Sequence, residues 1–373
     1  MGAYISFVVL LIIGTILAKK VVDTGFYNLD IKREISKSKV NINEVFEITT
    51  IIENKKRLPI SFITIEEEYS GEVKRLLSND DFQDKSHFYY STYSISGNER
   101  LKRTYKVTAS KRGVYILKNM NVSIGDYFGY AMENRAITNL LEIVVYPRVI
   151  SLRELNLNNN SLQGEEIVKR WIYKDPLYVK GIRDYTLEDR MKDIHWNSSM
   201  KMNRLMVKEY DTTSEKKVMF IFSNQNTTPF WSVVNTEDIE RGIEVIVALG
   251  REFIKSTTPV AISTNSQIIN MYESTEIRTF PYTNNFSYLL EIGARIDIRS
   301  RGEFSKHLRD ILRILDRNTI YIVVAAFLDE ESINIISKIN SLGFTIKIID
   351  TSKDEAIPKI SFIEIISYKG VRG

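Results

Sequence analysis

From residue 27 to residue 147, apolar positions recur with a period of two. Phe46, Ile48 and Ile52 fall on one side of an extended segment while Glu47 and Thr49 fall on the other, and Ile63 and Ile65 alternate with Thr64 and Glu66. Successive side chains of a strand point to opposite faces, so this pattern predicts half-buried antiparallel strands. The polar break Asn54-Lys55-Lys56-Arg57 separates two such runs, and Arg112-Gly113 separates Tyr105–Val107 from Val114–Leu117. Both breaks are short enough to predict hairpins. A β-sandwich of about seven strands over residues 27–150 is the economical solution. The polar stretch Lys74–Lys85 is predicted as a loop within it.

Beyond residue 174 the period changes. Leu205–Tyr210 still alternates, but Val218–Phe222 is a short apolar run suited to a buried strand. Ile239, Ile243, Ile246, Val247, Phe253 and Ile254 form a helical stripe, with Glu237, Asp238 and Glu240 at the end where the helix dipole favours anions. Phe304, Leu308, Ile311, Leu312 and Leu315 form a second stripe; Ile335, Ile339 and Leu342 form a third, which stops at Gly343. Strand-like runs at Tyr321–Ala326 and Phe344–Ile349 alternate with these helices. That order predicts a mostly parallel sheet covered on both faces. The fold class expected is α+β and multidomain, with residues 151–174 as linker around Asn158-Asn159-Asn160 and residues 175–373 as the α/β part.

Ala3–Ala18 contains no charge, and as a helix its sixteen residues would reach about 24 Å against a hydrocarbon thickness of about 30 Å. Lys19 and Lys20 could snorkel and let Val21 and Val22 add length. Without a basic start or a small-residue cleavage site, the stretch predicts a transmembrane anchor over residues 3–22 in preference to a signal peptide. The two lysines after the span would put the rest of the chain in the cytoplasm, as a single-pass membrane protein.

Composition narrows the chemistry. The chain has 51 basic and 47 acidic side chains, a net charge of +4, so no strong field calls for nucleic acid as a partner. With no cysteine, disulfides, thiolate nucleophiles and thiolate zinc sites are excluded. Three histidines, His87, His195 and His307, leave few ligands for a metal. No G-x-x-x-x-G-K-[ST], G-x-S-x-G or G-x-G-x-x-G pattern occurs. Ser198-Ser199-Met200-Lys201 fits S-x-x-K without the K-T-G that a penicillin-recognising enzyme needs. No cofactor, metal or catalytic residue is therefore expected, and the chain is expected not to be an enzyme.

Charge and large rings concentrate in one stretch, Asp175–Asp211, around Arg183, Tyr185, Asp189, Lys192, Ile194 and Trp196. Arg183 and Asp189 predict either a salt-bridge network pinning the segment or a partner-recognition surface, and Trp196 a core anchor whose removal costs about 3 to 5 kcal/mol. In register, these residues resemble the signature G-x-R-x-Y-x-x-G-D-x-x-R-x-I-x-W of the bacterial family catalogued as domain of unknown function 58. Glu188 stands where that family has Gly and Lys192 where it has Arg. Gly125-Asp126-Tyr127-Phe128-Gly129 and Val145-Tyr146-Pro147 are similar to further family motifs.

The resemblance implies a C-terminal half like a von Willebrand factor A domain and a MoxR-type AAA+ ATPase as partner in a chaperone-like or assembly role. It also places the D-x-S-x-S adhesion-site pattern on Ser223, Gln225 and Thr227, with Asp329 the remaining acid, a degenerate set expected to hold no metal. The expected function is that of a non-enzymatic, membrane-anchored interaction protein whose signature segment joins two lobes. Two alternatives stay open: a hydrolase using Asp189, Asp193 and His195, and a cell-envelope structural or adhesion module.

Overall fold

The computed structural model describes residues 4, 6, 8, 9, 14, 15, 19, 20, 22–76, 82, 83, 88–126, 132–152, 154, 155, 171, 179–186, 189–210, 216–270 and 278–368. The chain divides into two compact units, Met1–Arg148 with Ile269–Glu273, and Val149–Ile268 with Ser274–Gly373.

The first unit is the expected β-sandwich, with more strands than the periodicity revealed. In chain order they are β1 (Leu29–Ile35), β2 (Lys39–Asn41), β3 (Phe46–Asn54), β4 (Ile60–Glu68), β5 (Val73–Leu76), β6 (Phe82–Gln83), β7 (Phe88–Ile95), β8 (Glu99–Ala109), β9 (Gly113–Gly125) and β10 (Met132–Tyr146). One sheet has the order β1-β3-β8-β5, the other β2-β10-β9-β4-β7-β6, and only the β2–β10 pairing is parallel. Inward positions of both sheets meet: Ile48 and Val107 pack with Leu117 and Ile143, and Ile31 and Ile52 pack with Ile63 and Ile124.

Neither predicted hairpin forms. β3 and β4 lie in different sheets, and so do β8 and β9, so both short breaks are crossovers between layers. A tight polar break fixes a reversal of direction; which sheet the next strand joins depends on which apolar face it must cover. The loop expected over Lys74–Lys85 is corrected as well, because Lys74–Leu76 belong to β5 and pair with β8. Its Arg75 is buried beside Glu67, Arg33 and Tyr105, and no local pattern announces a partner on another strand.

The transmembrane anchor expected over residues 3–22 is overturned. Among the described residues no helix is long and apolar enough to cross a membrane. Positions 1–3, 5, 7, 10–13, 16–18 and 21 lie outside the described residues. The end that was to lengthen the span is instead folded onto the sandwich: Val22 is buried, and a Cβ on Gly25 would come within 2.9 Å of Ile124 Cγ2. Lys56 Nζ donates to the carbonyl of Thr24 at 2.7 Å. The single-pass membrane localisation, the cytoplasmic orientation and the membrane partnership fall with the anchor.

The second unit opens with a two-stranded ladder, β11 (Val179–Asp184) and β12 (Met206–Tyr210), joined through the short helix α1 (Trp196–Met202). It continues with β13 (Lys217–Phe222), α2 (Thr236–Lys255), β14 (Val260–Thr264), β15 (Ser266–Ile268), α3 (Phe286–Arg295), β16 (Ile296–Ser300), α4 (Phe304–Ile311), β17 (Thr319–Ala325), α5 (Glu330–Ser341), β18 (Ile346–Asp350) and β19 (Glu364–Ser367). The main sheet, β14-β13-β17-β18-β19, is parallel throughout. On one face Met219, Ile221, Tyr321, Val323 and Ile348 pack with Phe304 and Leu308 of α4 and Ile336 and Ile339 of α5. On the other, α2 lies so close that a Cβ on Gly242 would sit 2.5 Å from the Phe222 ring.

The expected stripes form helices, with two corrections. α4 ends at Ile311, so Leu312 and Leu315 pack against the core from beyond the helix. α5 ends at Ser341, Gly343 takes a left-handed φ of 85°, and Leu342 is exposed instead of completing the apolar face. α3 and the β15–β16 ladder had no counterpart in the expectation. Of the supposed linker, Leu152, Leu155 and Trp171 are buried, and Trp171 Nε1 donates to Glu364 Oε2 at 3.3 Å; residues 153, 156–170 and 172–174 lie outside the described residues.

Candidate functional site

The signature segment folds around the β11–β12 ladder, which sets Arg183 opposite Val207 and Asp184 opposite Met206. Tyr185 N donates to Leu205 O at 2.9 Å, and His195 N to Met206 O at 2.8 Å, so both ends of the intervening loop are tied to the start of β12. Between them lies a 3-10 turn, Met191–Asp193, after which Ile194 is buried and bridges Val207. His195 starts α1 by accepting the Ser198 amide on Nδ1 at 3.2 Å. Ser199, the buried position of that helix, donates to His195 O at 3.0 Å and accepts from Met206 N at 2.9 Å. Asn203 ends the helix with a φ of 54°, a left-handed conformation that Asn tolerates.

Arg183 and Asp189 form the expected ion pair. One guanidinium nitrogen, Nη1, donates to Asp189 Oδ2 at 2.6 Å, and Nη2 meets Oδ1, a bidentate clasp. Thr186 adds its amide and its hydroxyl to Oδ2, each at 2.8 Å. These bonds, Arg183's first and Thr186's next, hold the Asp189 carboxyl well below the usual carboxylate range. Glu188 lies outside the described residues, as do Tyr127, Phe128 and Gly129 of the upstream motif, and the Lys192 side chain is not described.

What this pinned backbone presents is apolar. Trp196 is 59% exposed, Met191 72%, Met200 73% and Met202 60%, all within the loop and α1. The core role expected for Trp196 is therefore wrong. Its neighbour Ile194 takes the inward position, and in a helix of seven residues with Ser199 as its buried residue the Trp196 ring lies outside. Large apolar side chains left in water on a hydrogen-bonded scaffold are the usual sign of an interaction surface.

Two members of the hydrolase set, Asp189 and His195, are engaged in local structure. Asp189 is held by Arg183 and Thr186, His195 Nδ1 caps α1, and among the described residues no group of three His, Asp or Glu side chains could hold a metal.

The adhesion-site positions lie at the carboxyl edge of the parallel sheet, with roles in holding the fold. Ser223 accepts from Gln225 N at 3.3 Å; Gln225 Oε1 accepts the Phe304 amide at 2.9 Å and so caps α4. Thr227 offers its carbonyl to Gln225 Nε2 at 3.0 Å. Asp329 caps α5 by accepting Ser332 N at 2.9 Å. Asp238, expected only as an acid at the start of the helix, and Arg241, not singled out in the sequence, lie at the same edge. Asp238 is buried, accepts from Asn235 Nδ2 at 2.8 Å and pairs with Arg241, whose Nε donates to Thr351 O at 2.9 Å. Burial raises the Asp238 carboxyl above its ordinary range despite that pair. The cationic charge here is a guanidinium supplied by α2. The i,i+3 spacing of Asp238 and Arg241 was a signal for it, although helical surface pairs of this spacing are common.

Among solved structures, the chain is similar over about a third of its length to small β domains. The CARDB domain of a Pyrococcus furiosus protein is 16% identical, covering 32% of this chain and 96% of that one, with a TM-score of 0.22. A non-cellulosomal cohesin from Archaeoglobus fulgidus is 14% identical over 32% and 91%, with a TM-score of 0.22. A type II cohesin domain from the cellulosome of Acetivibrio cellulolyticus is 8% identical over 31% and 95%, with a TM-score of 0.25. No curated protein matches the chain. The family model described as protein of unknown function DUF58 matches residues 181–368, from the Arg183 loop through the whole parallel sheet. More than half of the chain lies under that match, and the chain belongs to this family.

Proposed function

We propose that this chain is a non-enzymatic interaction protein, working with a MoxR-type AAA+ ATPase in a chaperone-like or assembly role through an α/β unit of von Willebrand factor A type. The ATPase partner and that fold type come from the resemblance to the family. The observation that carries the docking role is the exposed ring of Trp196 on a loop and helix whose backbone is fixed at both ends. No phosphate-binding loop occurs in this sequence, which fits a division of labour in which the partner hydrolyses ATP.

The test is binding of the purified MoxR-type ATPase from the same organism to the full chain and to Arg183→Glu, by calorimetry. The reading expects a complex with the parent and at least tenfold weaker binding of the variant, because reversing Arg183 puts two acids face to face and releases the loop. Absence of a complex with the parent chain would contradict it.

A further inference from the structure

Far along the chain from the signature loop, α5 and the connection from β18 to β19 enclose an open groove of about 500 Å³. Its apolar floor is Ile333 and Ile360, both half-buried over the core. The loop wall is fixed from below, since Asp350 Oδ2 accepts Ile357 N at 3.1 Å and Ser352 Oγ accepts Ala356 N at 2.7 Å. The wall ends in a turn closed by Ile363 N donating to Ile360 O at 3.2 Å. The third residue of that turn, Phe362, has a φ of 64° and is 99% exposed.

Two features of Phe362 are unfavourable to the folded chain in isolation. A left-handed φ at the third position of a turn belongs to Gly or Asn, and a bulky residue there is strained. A fully exposed ring adds nothing to the core and exposes apolar surface to water. A side chain that helps neither folding nor solubility, set on a hydrogen-bonded turn at the rim of a groove, has the properties of a pre-organised anchor. The groove also holds unengaged polar groups. The Asn340 side-chain amide has no hydrogen-bond partner among the described residues, and Lys359, the one charged lining residue, has no ion-pair partner among them.

We propose that this groove binds a peptide segment of another protein that carries a large apolar side chain next to a carboxylate. The apolar side chain packs on Phe362 above Ile333 and Ile360, the carboxylate meets Lys359, and the Asn340 amide bonds the peptide backbone. Charge complementarity selects the acid, because Lys359 is the only ionic group of the lining.

The experiment pans a random-peptide phage library against the full chain, counter-selecting on Phe362→Gly, then measures synthetic copies of the enriched peptides on parent, Phe362→Gly and Lys359→Glu. The expected peptides pair an apolar residue with Asp or Glu and bind each variant about tenfold or more weakly. Phe362→Gly, freed of its strain, should melt about 2 to 4 °C higher than the parent while losing the peptide. Any of three results would overturn the proposal: no peptide enriched over the counter-selection, undiminished binding to Lys359→Glu, or a lowered melting temperature for Phe362→Gly, which would make the ring a structural support.

Discussion

Two arginine–carboxylate arrangements in this chain use the same chemistry at opposite depths. In the sandwich, Glu67 is 2% exposed and accepts from Arg33 Nη1 at 3.1 Å and from Tyr105 OH at 3.0 Å, with Arg75 Nη1 at 3.9 Å. Arg33 also reaches the carbonyls of Lys118 and Asn139, at 2.7 and 2.6 Å, so the group ties β1 and β5 of one sheet to β4, β9 and β10 of the other. In the signature loop, Arg183 keeps 42% of its side chain in water while clasping Asp189. Removing charges from water makes the buried network costly to form and far costlier to break, whereas a solvated pair adds little to stability and mainly fixes geometry. The first arrangement holds a fold; the second shapes a surface.

That contrast breaks most easily at Glu67. Glu67→Ala leaves two buried arginines without their acid and should destabilise the sandwich by about 3 to 5 kcal/mol, read as a fall in the urea midpoint. A loss below about 1 kcal/mol would mean that water reaches the network and that depth is not what separates the two sites.

Acid sharpens the same point in the α/β unit. His307 is buried, with Ser263 Oγ at 3.0 Å from Nε2 and no partner for Nδ1 among the described residues. Burial, helped by Arg278 and opposed by Asp310, pushes its imidazole down to about 4 from the usual 6.5. Below pH 6.5 the unfolded chain takes up a proton that the folded chain refuses until near pH 4, so this contribution is complete above pH 6.5 and lost on acidification through that window. It amounts to about 3 kcal/mol. Urea midpoints at pH 7.5 and pH 5 should separate, and His307→Leu should narrow the gap; an unchanged gap would assign the acid sensitivity to other groups.

The smallest effect belongs to the exposed clasp. Asp189→Asn should leave the urea midpoint unmoved and speed amide exchange between Asp184 and His195, since the loop loses its tie without exposing any core. A midpoint shift matching that of Glu67→Ala would erase the difference between the regions.

The sequence showed architecture more plainly than depth. Alternation at Ile63 and Ile65, and helical stripes such as Phe304, Leu308 and Ile311, report which side of an element is apolar, and those elements formed. Periodicity carries no information about which sheet a strand joins after a short break, as Asn54–Arg57 demonstrates. It cannot reveal that Arg75 meets an acid from another strand, nor that Trp196 lies outside when Ile194, two residues earlier, lies inside. At the site, an Arg183–Asp189 salt bridge was one of two readings the charged stretch allowed, while the exposed methionines around it were not legible, because apolar residues at helical spacing look the same facing water or core.

A contact role for Trp196 and a core role predict opposite results for one variant. On a single preparation of Trp196→Ala, the urea midpoint and the affinity for the MoxR-type ATPase can both be measured. A stability within about 0.5 kcal/mol of the parent, with affinity reduced at least tenfold, is the result predicted. A loss of about 3 to 5 kcal/mol, as for a buried ring, with affinity unchanged would contradict it.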